Sequence, residues 1–118
     1  MDNTITLDQA VSMTTLFRTQ KEIILQPKLQ GKNILPLCES FDRAAFDKVL
    51  SQPGCTGIRI YLGMTPDLQV RTIIVGVNAN NEDILPKSTP STAEDEGTII
   101  EEGLSCPPTC PPPSPLNP

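Results

Sequence analysis

A chain of 118 residues has room for one domain, and with three Phe, one Tyr and no Trp its core has to be aliphatic. The net charge of -5 is uneven: residues 1–86 hold eight Lys/Arg against nine Asp/Glu, and residues 87–118 hold one Lys against five acids. A near-neutral body with an acidic end has no cationic footprint for phosphates, so neither nucleic acid nor an anionic membrane is expected as a partner.

No apolar run approaches the ~20 residues that cross a bilayer. The opening Met1-Asp2-Asn3-Thr4-Ile5-Thr6 lacks the basic and apolar regions of a secretory signal, which gives a cytoplasmic expectation.

The first predicted element is a helix over residues 7–22. Thr6 and Gln9 have the spacing of a capping box, Asp8 sits in the first turn, and Arg18 and Lys21 lie near the end, as the helix dipole prefers. At about 100° per residue, Leu7, Ala10, Val11, Met13, Phe17 and Ile24 share one face, which is expected to pack. Asp8, Ser12, Thr15, Arg18, Thr19 and Glu22 fall opposite.

Pro27, Gly31 and Pro36 break the stretch that follows, and a short edge strand fits residues 33–37. A second helix is predicted over residues 41–50, capped by Ser40, with Phe41, Ala45, Phe46, Val49 and Leu50 on its apolar side.

The best-defined unit is a hairpin. Residues 57–64 and 69–78 are rich in Ile and Val, and Thr65-Pro66-Asp67-Leu68 reads as a four-residue turn. That turn predicts a register of Met64 with Gln69, Leu62 with Arg71, Ile60 with Ile73, and Ile58 with Val75. Ile58, Ile60, Leu62, Ile73, Val75 and Val77 would then face the helices. Arg59, Tyr61, Thr72 and Ile74 would lie on the other face, with glycines at 57, 63 and 76 around them. A lone hairpin is marginal in water, so a further strand is expected from residues 23–26, 33–37 or 98–101. Residues 78–83 form a polar turn.

From Lys87 the composition changes: eight of the thirteen prolines lie in residues 87–118. The organisation expected is an α+β domain over residues 1–86 and an acidic, Pro-rich tail over 87–118, in which Ile99-Ile100 is the one apolar pair able to dock on the body. Pro108-Thr109-Cys110-Pro111 and Pro112-Pro113-Ser114-Pro115 match P-x-x-P and favour polyproline II.

The chemistry is bounded by what is missing. There is no His, which removes the usual nucleophilic triads and His-ligated metals, and there is no P-loop or G-x-G-x-x-G. Cys106 and Cys110 make half of a zinc knuckle whose other half is absent, since Cys38 and Cys55 each lie alone. The pair is expected as reduced thiols, with a local Cys106–Cys110 disulfide as the alternative in an oxidising setting if the two Cα atoms approach within about 7 Å, and Cys38 and Cys55 as small buried side chains. No cofactor, no metal and no catalytic residue is expected. Arg59, Tyr61 and Thr72 remain as the candidate partner-binding cluster: a cation, a phenol and a hydroxyl on one flat sheet surface suit a carboxylate, a peptide edge or a second copy of the chain.

Gly57-Ile58-Arg59-Ile60-Tyr61-Leu62-Gly63 and Ile73-Ile74-Val75-Gly76-Val77, preceded by two helices, resemble a pattern of short, uncharacterised bacterial α+β proteins over residues 5–85. The resemblance implies the order α-α-β-β and no activity. The expected fold is α+β, two helices packed on a small antiparallel sheet built around a central hairpin, with an extended tail. The expected function is a non-enzymatic binding or assembly module acting on a protein partner or on itself. The alternatives are a structural subunit whose tail docks on a neighbour and a Cys-based metal or redox protein.

Overall fold

The computed structural model describes residues 2–86 and 97–118. Its elements run α1 (Leu7–Gln20), a 3-10 turn (Pro27–Leu29), β1 (Cys38–Ser40), α2 (Arg43–Leu50), β2 (Gly57–Met64), β3 (Val70–Val77), β4 (Asp83–Ile84) and β5 (Leu104–Cys106). This is a small α+β fold of two helices and two antiparallel sheets, one ordered β2-β3-β4 and the other pairing β1 with β5. Two compact units divide the chain: Met1–Cys38 with Ser105–Pro118, and Glu39–Leu104. The start of the expected tail, residues 87–96 with its Glu94-Asp95-Glu96 acids, lies outside the described residues.

In the first unit, α1 begins at the expected capping box: Gln9 N–H donates to Thr6 Oγ1 at 3.1 Å and Thr6 N–H donates to Gln9 Oε1 at 2.9 Å. Lys21 closes the helix, and Glu22 already belongs to the loop, where its carboxylate accepts Gly31 N–H at 2.5 Å. The packing face differs from the expected one. No residue of α1 is buried; the half-buried positions are Ala10, Val11, Thr14 and Arg18, while Leu7, Met13, Phe17 and Ile24 are exposed. Loop carbonyls explain the rotation, because each needs a donor. Arg18 Nη1 donates to Leu116 O at 3.0 Å, and Lys21 Nζ donates to Leu35 O at 3.2 Å.

The edge strand expected at 33–37 is displaced to β1. Asn33 sits at φ 56° and Pro36 carries no N–H, so that stretch cannot hold a ladder. Near it Ile34 is buried, and Leu37 N–H donates to Cys106 O at 2.7 Å. At the C-terminal end, Cys106 and Cys110 form a disulfide across a Cα separation of 4.5 Å, in place of the expected reduced thiols. Thr109 N–H closes the same turn onto Ser105 O at 2.8 Å. A second turn follows, in which Ser114 and Asn117 exchange backbone hydrogen bonds of 3.1 and 3.0 Å.

In the second unit, Ser40 is taken up by β1, so the cap of α2 passes to Asp42, at φ -66° and ψ 145°. Phe41 stays ahead of the helix, its ring centroid 5.8 Å from that of Phe46. Val49, with no exposed surface, is the residue of α2 that reaches the core, whereas Leu50 is exposed. Cys55 and Cys38 are half-buried rather than enclosed.

The hairpin strands fall where the residue pattern puts them, but their register is displaced by one. Thr65 N–H donates to Gln69 O at 2.9 Å, which leaves a three-residue loop, Pro66-Asp67-Leu68, with Leu68 in the left-handed region at φ 66°. The pairs are therefore Met64 with Val70, Leu62 with Thr72, Tyr61 with Ile73, Ile60 with Ile74, Arg59 with Val75 and Ile58 with Gly76. Every residue of β3 changes face relative to the expected arrangement. Ile58, Ile60, Leu62, Thr72, Ile74 and Gly76 share the side of the sheet on which α2 lies. Arg59, Tyr61, Ile73, Val75 and Val77 share the other.

Strand β3 is the spine of this unit, with Ile74 and Val75 fully buried on its two sides. Its far edge gains β4 and, within the expected 98–101 segment, Ile100, which exchanges hydrogen bonds of 2.8 and 2.9 Å with Ile74.

The close approach of α2 to the sheet depends on Gly76. A Cβ there would lie 2.9 Å from the Cys55 sulfur, 3.0 Å from Gln52 Nε2 and 3.4 Å from Val49 Cγ1. The substitution Gly76→Ala is expected to destabilise the protein by about 1–3 kcal/mol through overpacking, read as a lower urea midpoint at unchanged slope.

Candidate protein-interaction surface

Alternation along β2 puts Arg59 and Tyr61 on one side of the sheet, and Asp83 reaches them because β4 brings it back opposite Val77. Arg59 Nη1 donates to Asp83 Oδ1, and the Tyr61 hydroxyl donates to Asp83 Oδ2, so one carboxylate is clamped by both groups. Arg59 Nη2 adds Asn81 Oδ1 at 2.5 Å and Asn81 O at 3.3 Å. The loop supplying Asn81 and Asp83 is shaped by Asn78, whose Oδ1 accepts the N–H groups of Asn80 and Glu82 at 2.9 and 3.0 Å.

Of the three residues expected to cluster, the structure brings Arg59 and Tyr61 together and separates Thr72. Thr72 pairs with Leu62 on the opposite face, and its backbone N–H donates to Glu39 Oε1 at 2.9 Å. Asp83 and Asn81 are the members that sequence reasoning missed. A two-residue strand carries no periodicity, so the only available signal was an acid at the end of a polar turn and a cation, Arg59, on the hairpin.

The electrostatics follow from the clamp. The Asp83 carboxyl is held below its ordinary 3.8, first by the Tyr61 hydroxyl and then by Arg59. The Tyr61 hydroxyl is pushed above 10.0, first by Asp83, and Arg59 is pushed up by the same carboxylate. These groups satisfy one another, so the cluster is a brace between β2 and β4 rather than an open set of donors.

The open chemistry lies on the edge of β2. Only alternate residues of an antiparallel strand bond to a given neighbour. The Thr65–Gln69 bond assigns the odd-numbered residues of β2 to β3, which leaves the N–H and C=O groups of Ile58, Ile60, Leu62 and Met64 facing away from it. Among the described residues no strand pairs with that edge. The side chains there are apolar and bare: Ile60 is 57%, Leu62 77% and Met64 58% exposed. By contrast, the outward groups of β3 are occupied at Thr72 by Glu39, at Ile74 by Ile100 and at Gly76 by Ile84.

No group of three or more His, Cys, Asp or Glu placed to hold a metal ion occurs among the described residues, and no helix there is long and apolar enough to cross a membrane. No protein-family model matches the chain, and neither does any curated protein or solved structure.

The clamp predicts a two-sided pH dependence. A lowered Asp83 value contributes stability that is complete above the ordinary aspartate range and is lost as pH falls through the folded-state value. A raised Tyr61 value contributes stability that is complete below the ordinary tyrosine range and is lost as pH rises through the folded-state value. The stability difference between the wild type and Asp83→Asn, from urea melts, is expected to be largest between about pH 5 and 9 and to shrink toward both extremes.

Proposed function

We propose that this chain is a non-enzymatic binding and assembly module that recruits a protein strand to the outer edge of β2, and that its first partner is a second copy of itself. What carries the reading is an eight-residue strand with outward backbone groups unpaired among the described residues and a bare apolar row, Ile60, Leu62 and Met64, beside them. Soluble proteins ordinarily block such an edge with Pro, Lys or a bulge, and β2 has none of these. An edge left open in this way suits strand addition, where main-chain bonds supply affinity and alternate side chains supply selectivity.

The sequence of β2 complements itself. In an antiparallel pairing of two copies centred on Tyr61, Ile60 stands opposite Leu62 and Ile58 opposite Met64, and every outward group from 58 to 64 finds a partner. Arg59 stands opposite Gly63, which keeps the two cations apart. The absence of His and the near-neutral charge of residues 1–86 support a role without proton-transfer chemistry and without nucleic acid. Arg59 and Tyr61 contribute by bracing β2 against β4, so the partner reads a fixed edge.

Light scattering across a concentration series tests the assembly reading. The wild type is expected to approach twice the chain mass, and Leu62→Lys, which sets a charge on the open edge, is expected to stay at the chain mass. Leu62 is exposed, so the variant should keep its stability within about 0.5 kcal/mol. A wild type that remains at the chain mass at every concentration overturns the self-pairing.

A further inference from the structure

The unit of Met1–Cys38 with Ser105–Pro118 holds a cavity of about 530 Å³. Such a volume lies within the range of small-molecule sites. Its walls are Met13, Phe17, Pro36, Leu37 and Leu116, with Arg18 as the lining residue that carries charge. The helix α1 supplies one wall, the Pro36 segment another, and the turn closed by Ser114 and Asn117 the third.

Arg18 sets the polarity of what could enter. Its Nη1 donates to Leu116 O at 3.0 Å and its Nη2 to Thr15 Oγ1 at 3.2 Å, both neutral acceptors. No carboxylate forms an ion pair with it among the described residues. A guanidinium has five N–H donors, so after these two bonds it keeps donors for a planar anion, and its charge is uncompensated beside an apolar wall. An apolar body with a single carboxylate at one end answers both features.

We infer that this cavity binds a chain-like or aryl monocarboxylate, with the carboxylate against Arg18 and the apolar body along Met13, Phe17, Leu37 and Leu116. The site shares no residue with the β2 edge.

Calorimetric titration of the full chain with dodecanoate, kept below its micelle concentration, tests the inference. One saturable site per chain is expected, Arg18→Gln is expected to weaken it at least about tenfold, and dodecyltrimethylammonium is expected not to saturate. The Leu62→Lys variant is expected to bind like the wild type. Should Arg18→Gln fail to fold by circular dichroism, Leu116→Glu decides in its place, since a second carboxylate at the wall should expel the first. No saturable binding, equal binding of the cationic detergent, or undiminished binding by the folded variant overturns the assignment.

Discussion

One backbone hydrogen bond, from Thr65 N–H to Gln69 O, sets the parity of the whole hairpin. Because side chains alternate across a strand, it decides that Ile74 and Gly76 turn toward α2 while Val75 turns toward Arg59 and Tyr61. It also decides which backbone groups of β2 are used internally and which are left for another strand. The Asp83 clamp depends on it as well: the register expected from a four-residue turn would place Arg59 opposite Ile74 instead of Val75, and would turn Val75 and Val77 to the other face. The bond is held from both sides, since Gln69 N–H donates to Thr65 Oγ1 at 3.1 Å.

Much of the local structure was legible in the sequence because it rests on local chemistry. The capping box of α1 needs only Thr6 and Gln9, β2 needs only its Ile, Tyr and Leu content between glycines, and the polar turn needs only Asn78 and the residues after it. What escaped reading was set by distant or atypical partners. Leu68 in the left-handed region replaces the Gly or Asn that would have announced a three-residue loop, so the register came out one residue away. The face of α1 was misjudged because Arg18 and Lys21 turn inward to serve loop carbonyls, which no hydrophobic periodicity encodes. Asp83 was invisible as a partner of Tyr61 because only the return of β4 brings the two together.

The core is thin. The buried apolar side chains among the described residues are Ile34, Val49, Ile74, Val75 and Cys106. Polar ties carry the rest: Glu22 holds the Gly31 backbone, Asn78 holds its own turn, and Glu39 caps an N–H of β3. Ties of this kind fix geometry more than they add net stability, since each exchanges a bond to water for a bond to protein. A fold of this composition therefore depends strongly on close contacts such as that of Gly76 with Val49 and Cys55.

The carboxylate of Glu39 on the Thr72 N–H has an effect on the size of anything the sheet builds. It stands where the next strand would bond, and beside it Ile100 and β4 take the following rungs of β3. The margin that β3 offers is thus already in use, and the pairing proposed above falls to β2 alone; two copies joined there about a two-fold axis would make a finite pair rather than a fibre.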